Sequence, residues 1–284
     1  MPELPFIEVL AGNLKEQIRG RTITAVRVKS PSVLKTYDPP VGAVVGRAID
    51  TVRRVGKLVV FTLGDLAIVT HLMRNGRLQV VPSRQGQNKD VAFVLSLDDG
   101  RDVRLYEIGP KKRAAAYVVR SSALLSVEPL GDLGIDPLSE EFTATVLADM
   151  LARDTGQVKR FLTLQRYITS IGNTFSDEIL WEARLSPFAP AHRLSDGEVA
   201  RLFAAIKETL SRALGEHRTH FGDTLPVKEP LELLRVHRHG GEPCPRCGTP
   251  IAVVHFAERE TYYCPRCQTG GKVYADRRLS RLLK

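Results

Sequence analysis

Four cysteines occur in this chain, and all four fall between Cys244 and Cys267. They form two Cys-Pro-Arg-Cys knuckles, Cys244 with Cys247 and Cys264 with Cys267, with sixteen residues between them. Each knuckle offers two thiolates from one tight turn, and two knuckles at such a separation suit a tetrahedral zinc site. Two disulfides are the competing arrangement, but the chain shows no sign of an oxidising compartment. Zinc held by four thiolates has no open coordination position. One structural Zn²⁺ that takes no part in chemistry is therefore expected.

The rest of the chain is too long to be an appendage of that ribbon. At 284 residues and 43% hydrophobic it can build about two domains with buried cores, which excludes disorder as the main state. No apolar run approaches the ~20 residues of a membrane helix, so no membrane partner is expected. The opening Met-Pro-Glu-Leu-Pro lacks the basic and apolar stretch of a signal peptide, which points to a cytoplasmic, bacterial-type setting. Lys plus Arg outnumber Asp plus Glu by 41 to 32. From Arg235 to Lys284 the ratio is ten to four, so six of the nine net charges sit in the last fifty residues. A clustered basic surplus is the footprint of a phosphate backbone partner.

Periodicity predicts an α+β, multidomain chain. Ile7, Leu10, Leu14 and Ile18 recur at helical spacing, and Gly20 is placed to end that helix. Eight strand-like runs follow: 22–28, 48–52, 57–63, 66–72, 76–81, 91–97, 101–106 and 114–119. Turn signals such as Asp98-Asp99-Gly100 separate them, which predicts an antiparallel β-sandwich behind an N-terminal helix. Helical patterns take over at 140–153, 158–163, 176–183 and 195–216, and the strand-like stretches 251–256 and 261–264 frame the second knuckle. The expected domains are a sandwich at 1–120, a linker at 121–137 with a Pro129-Leu130-Gly131 turn, a helical domain at 138–234, and a ribbon with a basic tail at 235–284.

Pro2 and Glu3 admit two readings. In one, a helix-starting proline precedes a carboxylate that complements the helix dipole. In the other, removal of Met1 leaves Pro2 with a free secondary amine. An α-amine titrates near ~7.7–8.0, so part of it is nucleophilic at neutral pH and can attack an aldehyde-like sugar carbon. The resulting iminium is an electron sink, and the adjacent Glu3 can donate a proton.

These residues carry a resemblance. The N-terminal Pro2-Glu3-Leu4-Pro5, the turn Ile171-Gly172-Asn173 and the Cys₄ ribbon together look like the formamidopyrimidine-DNA glycosylase/endonuclease VIII family of base-excision repair enzymes. Lys57 within Arg53-Arg54-Val55-Gly56-Lys57, His71-Leu72-Met73, Leu133-Gly134-Ile135-Asp136-Pro137-Leu138 and Arg259 before Thr261 resemble further family motifs in order, over the full length. The resemblance implies a helix–two-turn–helix module in the helical domain and a bifunctional glycosylase and abasic-site lyase acting on damaged double-stranded DNA as a monomer. Pro2 is then the nucleophile at C1′, Glu3 the acid that aids sugar-ring opening, and Lys57, expected on a strand, a phosphate contact and proton donor. Lys159, Asn173 and Arg259 grip phosphates around a flipped nucleotide, and Met73 offsets part of the cost of flipping.

Several positions depart from the family pattern. Phe6 replaces an acidic residue, although Glu8 is kept. Met73-Arg74-Asn75-Gly76 shifts the inserting methionine by one place or replaces it with Arg74. Gly109-Pro110-Lys111-Lys112-Arg113 puts Lys111 at a DNA-contact position and Arg113 where an aromatic wedge is common, and Gly222-Asp223-Thr224-Leu225-Pro226 shortens a loop that covers an oxidised purine. The competing function is a non-catalytic, DNA-damage-binding protein on the same scaffold. The presence of Pro2, Glu3 and Lys57 together argues against it.

Overall fold

The computed structural model describes residues 1–126, 128, 130–256 and 259–274. The basic tail from 275, and Pro129 of the expected linker turn, lie outside the described residues. The chain divides into two units, Met1–Asp132 with His217–Glu229, and Leu133–Glu216 with Pro230–Lys284. Among the described residues no helix is long and apolar enough to cross a membrane.

The first unit opens with helix α1, Leu4–Ile18. Its heptad-like apolar face is fully used, since Ile7, Leu10, Leu14 and Ile18 are all 0% exposed. Eight strands follow: β1 (Ile23–Val28), β2 (Thr51–Val55), β3 (Leu58–Leu63), β4 (Leu66–His71), β5 (Gly76–Pro82), β6 (Val91–Leu97), β7 (Arg101–Glu107) and β8 (Ala115–Arg120). They build two antiparallel four-stranded sheets, ordered β1-β6-β7-β5 and β2-β3-β4-β8. One apolar core takes residues from α1 and from both sheets, including Phe61, Ile68, Phe93 and Leu105. That is a β-sandwich with an N-terminal helix.

Two local expectations need correction. The strand expected at 48–52 begins at Thr51, and Ala48 makes only an isolated bridge to Thr22. Lys57, expected on a strand, lies in the two-residue turn between β2 and β3. The Val55–Leu58 pair closes that hairpin, and Gly56, at φ 58°, takes the first turn position as in a type II′ turn.

In the second unit, α2 (Ala144–Ala152) begins later than the expected 140 because Thr143 caps it, its hydroxyl accepting from the Val146 amide at 3.2 Å. Helix α3 spans Val158–Thr163 as expected. α4 covers Asn173–Glu182, starting three residues before the expected 176. α5 runs Asp196–Phe221, five residues past its expected end, and from His217 onward it is grouped with the first unit. β9 (Ala252–Phe256) and β10 (Arg259–Tyr263) pair as an antiparallel hairpin, and α6 (Pro265–Thr269) follows. Trp181 of α4 packs with Val236, Cys244, Ile251, Tyr262 and Cys264 in the small core of this ribbon.

Candidate active site

Within the first unit, Pro2 is buried and Glu3 is 4% exposed. Glu3 is the N-cap of α1, yet its side chain makes no capping hydrogen bond. Glu3 is thus a buried carboxylate at the helix start that leaves the helix amides uncapped. The terminal amine, here that of Met1, is held below its ordinary value of 8.0, first by desolvation. The positive charges of Arg74 and Lys57 push the same way, while Glu3 and Glu229 oppose them. Four charged groups, three of them distant in sequence, thus act on the amino terminus.

The sheet register explains why Lys57 and Arg74 share that neighbourhood. Leu58 pairs with Val55 on one side and with His71 on the other, so the β2–β3 turn and the 72–75 turn leave the sheet at the same end. The 72–75 turn is tight. Gly76 donates its amide to the Leu72 carbonyl at 2.7 Å, and a Cβ on Gly76 would lie 2.4 Å from that oxygen, so only glycine fits. Met73 adopts φ 52° and is half-buried, while Arg74 is exposed.

Three supports of this region escaped the sequence reading. His71 is driven down to about 4 by burial and by the Lys57 charge, so its imidazole is neutral, and its Nε2 is buried with no hydrogen-bond partner. Glu107, 2% exposed, accepts from the backbone amides of Arg113 and Ala114 and thereby fixes the 109–113 segment, on which Lys111 and Arg113 are exposed. His217, fully buried, places Nε2 2.9 Å from Glu229 Oε1. No local pattern of the sequence signals any of them.

In the second unit, Lys159, Asn173 and Arg259 are brought to one place by the β9–β10 hairpin. Lys159 Nζ donates to the Glu260 carbonyl at 2.9 Å and to Thr261 Oγ1 at 3.0 Å, and pairs with Asp177 Oδ1 at 2.7 Å. Asn173 Nδ2 donates to the same Glu260 carbonyl at 2.9 Å. Arg259, one residue earlier, is exposed. Asp177 also faces His237 Nδ1 at 2.7 Å. Next to it, the buried Glu178 accepts the amides of Arg235, Val236 and His237 at 2.8–2.9 Å. Burial pushes the Glu178 carboxyl up, and these three amides oppose it.

The four cysteine sulfurs lie within 4.8 Å of one another, and none is in a disulfide. Zinc–thiolate bonds of about 2.3 Å in a tetrahedron require sulfurs roughly 3.8 Å apart, so the donor set fits Zn²⁺. Trp181 Nε1 donates to Cys244 Sγ at 3.3 Å, an outer contact of the sort that orients a metal-binding thiolate. Cys247 is lowered to about 6 by its hydrogen bond from Thr249, while burial raises Cys264.

Comparison with known proteins gives one answer along the chain. Residues 1–109 match the formamidopyrimidine-DNA glycosylase N-terminal domain, 133–223 its H2TH domain, and 241–270 the zinc finger found in FPG and IleRS. The formamidopyrimidine-DNA glycosylase of Symbiobacterium thermophilum is 34% identical, over 94% of this chain and 89% of the relative. That of Herpetosiphon aurantiacus is 32% identical, over 94% and 100%. Lactococcus lactis Fpg bound to DNA containing an AP site shares the fold at TM-score 0.84 and 23% identity, over 94% and 99%. Its G226P mutant with Fapy-dG DNA superposes at 0.85 with 24% identity, over 94% and 100%. The fold, the Cys₄ cage and the full-length relatives agree, and the chain belongs to the formamidopyrimidine-DNA glycosylase family.

Proposed function

We propose that the protein is a DNA glycosylase and abasic-site lyase that excises oxidised or ring-opened bases through an imine on Pro2. The carrying observation is the buried, non-capping Glu3 beside a terminal amine whose proton is held loosely. The solved relatives from L. lactis bind DNA with an AP site or with Fapy-dG, which supports damaged duplex DNA as the partner.

After removal of Met1, the Pro2 nitrogen lone pair attacks C1′ of the flipped nucleotide. The C1′–base bond breaks, and the base leaves with the bonding pair and takes up a proton. The C1′–O4′ bond then opens, O4′ receiving its proton from Glu3, and a C1′ iminium remains. Loss of a C2′ proton expels the 3′ phosphate, and loss of a C4′ proton expels the 5′ phosphate. Lys57 supplies positive charge and a proton near the departing groups, and the Met73-Arg74 turn occupies the space left in the stack.

Arg259 meets a phosphate from the exposed start of β10, and Lys159 and Asn173 hold that strand in place and so complete the grip. Zinc, when bound by Cys244, Cys247, Cys264 and Cys267, supplies folding free energy to the ribbon and no chemistry.

Borohydride reduction of the protein with an abasic-site duplex tests this reading. A covalent adduct mapping to Pro2 is expected, and a form that keeps Met1 should give none. Absence of any adduct, with tight binding retained, would establish the non-catalytic alternative.

A further inference from the structure

The backbone from Arg235 to Gly240, in the second unit, is fixed from two sides. Two neighbouring carboxylates of α4 hold its start: Glu178 accepts the amides of Arg235, Val236 and His237, and Asp177 faces His237 Nδ1. The β9–β10 hairpin holds the rest. The His237 and Tyr262 rings meet edge to face with centroids 4.9 Å apart, and a Cβ on Gly240 would lie 2.4 Å from Val253 Cγ2. Between these supports the chain turns, the His239 amide donating to the Val236 carbonyl at 3.1 Å.

Arg238 takes the third place of that four-residue turn, with φ 69°. A positive φ at this place marks a type II turn, which glycine or asparagine fills without strain. An arginine strains it, and no contact inside the protein offsets the strain. Among the described residues the Arg238 guanidinium makes no hydrogen bond, ion pair or ring contact, and the residue is exposed. Other cations of this unit differ. Lys159 pairs with Asp177, Arg235 with Glu216, and Arg246 lies over the Trp181 ring and donates to Glu182. Backbone strain that persists in a rigid frame points to a functional position.

Packing of the flanking residues puts the Arg238 side chain beside β10. The Glu260 carboxyl is held below its ordinary value first by the Tyr262 hydroxyl, 2.6 Å away, and then by the charges of His255 and Arg238. That carboxylate is engaged by Tyr262 and by His255 Nδ1 at 3.2 Å, and it forms no ion pair with Arg238. Arg238 therefore keeps its charge for an outside anion. It stands next to the strand whose first residue is the exposed Arg259.

We infer that Arg238 binds a backbone phosphate of the DNA, as a second arginine beside Arg259 and on a rigid mount. A guanidinium offers a planar fork of donors that matches two phosphate oxygens. Because the turn beneath it is already fixed, little backbone freedom is left to lose on binding. The inference rests on the DNA-binding part of the reading above and is independent of the imine chemistry.

Binding to a duplex with a stable abasic-site analogue, titrated with salt, tests it alongside thermal unfolding. Arg238→Gly is the informative variant, because glycine accepts the turn. Its melting midpoint should hold or rise, while the slope of log K against log salt becomes shallower by about 0.9, one phosphate contact. Arg238→Lys should keep the wild-type slope, and Arg238→Gly with Arg259→Ala should lose about two contacts. An unchanged slope in Arg238→Gly would overturn the inference. So would a shallower slope with a lowered midpoint, since Arg238 would then be a support of the fold. Wild-type binding that does not depend on salt would end the DNA-binding reading as well, whereas a salt-dependent wild type with an unaltered Arg238→Gly slope ends the inference alone.

Discussion

Lys159 Nζ lies 2.7 Å from Asp177 Oδ1, with the Lys159 side chain 11% and the Asp177 side chain 0% exposed. The Glu260 carbonyl and Thr261 Oγ1 accept from the ammonium, and the Asp177 carboxylate balances its charge inside the protein. A phosphate contact contributes about 0.9 to the slope of log K against log salt. Lys159→Met should therefore weaken binding to damaged duplex and leave that slope unchanged, whereas Arg259→Ala should make it shallower by about one contact. A salt titration of both variants decides it; a shallower slope for Lys159→Met would put its ammonium on the DNA.

Glu3→Gln separates the two halves of the reaction. Loss of a positioned acid costs about 10²-fold or more in the step that uses it. Base excision should fall by that factor, while cleavage of a preformed abasic site falls far less. Equal losses in the two assays would return Glu3 to a structural role.

His71 makes stability depend on acidity. Its folded value of about 4 lies below the ordinary 6.5, so between those values the unfolded chain binds more protons. Stability from the neutral imidazole is complete above 6.5 and is lost as pH falls towards 4, at most about 3 kcal/mol. Denaturant unfolding of the wild type at pH 7 and pH 4 should show this loss, and His71→Gln should flatten the difference. An identical pH dependence in the variant would show that other groups cause it.

Zinc removal can be followed through Trp181, the one tryptophan in the chain, whose indole donates to Cys244 Sγ. Chelation or Cys244→Ser should shift its emission to the red, release the hairpin and abolish binding to damaged duplex. The far-ultraviolet circular dichroism of the sandwich should persist, because its core contains no cysteine. Metal-free protein that binds as tightly as the zinc form would make the ribbon dispensable.

What could be read from the sequence depended on whether a signal was local. The Cys₄ cage was visible because metal geometry dictates spacing, and β6 and β7 because their turn, Asp98-Asp99-Gly100, is written in the chain. Lys57 was misplaced by one element because an apolar run shows where a strand lies but not where a two-residue turn closes it. The start of α4 was set late because Asn173 and Thr174 are polar, yet Gly172 ends the preceding extended chain and Asn173 begins the helix. Asp102 and Arg104 alternate as a solvated face would, and both are fully buried, Arg104 donating to the Gln85 carbonyl at 2.8 Å under the loop after β5. Long-range burial of this sort, like that of His71 and Glu178, has no signature in neighbouring residues.

The shared acceptor of Lys159 and Asn173 is a main-chain oxygen, that of Glu260. Every amino acid carries that oxygen, so replacing the side chain at 260 leaves this clasp closed. What the clasp reads is the count of residues along β10. Deleting or inserting a single residue between Arg259 and Tyr263 would present a neighbouring carbonyl, turn Arg259 to the opposite face of the hairpin and separate the metal cage from the arginine it supports. The ribbon tolerates spelling changes at this point but not changes of length.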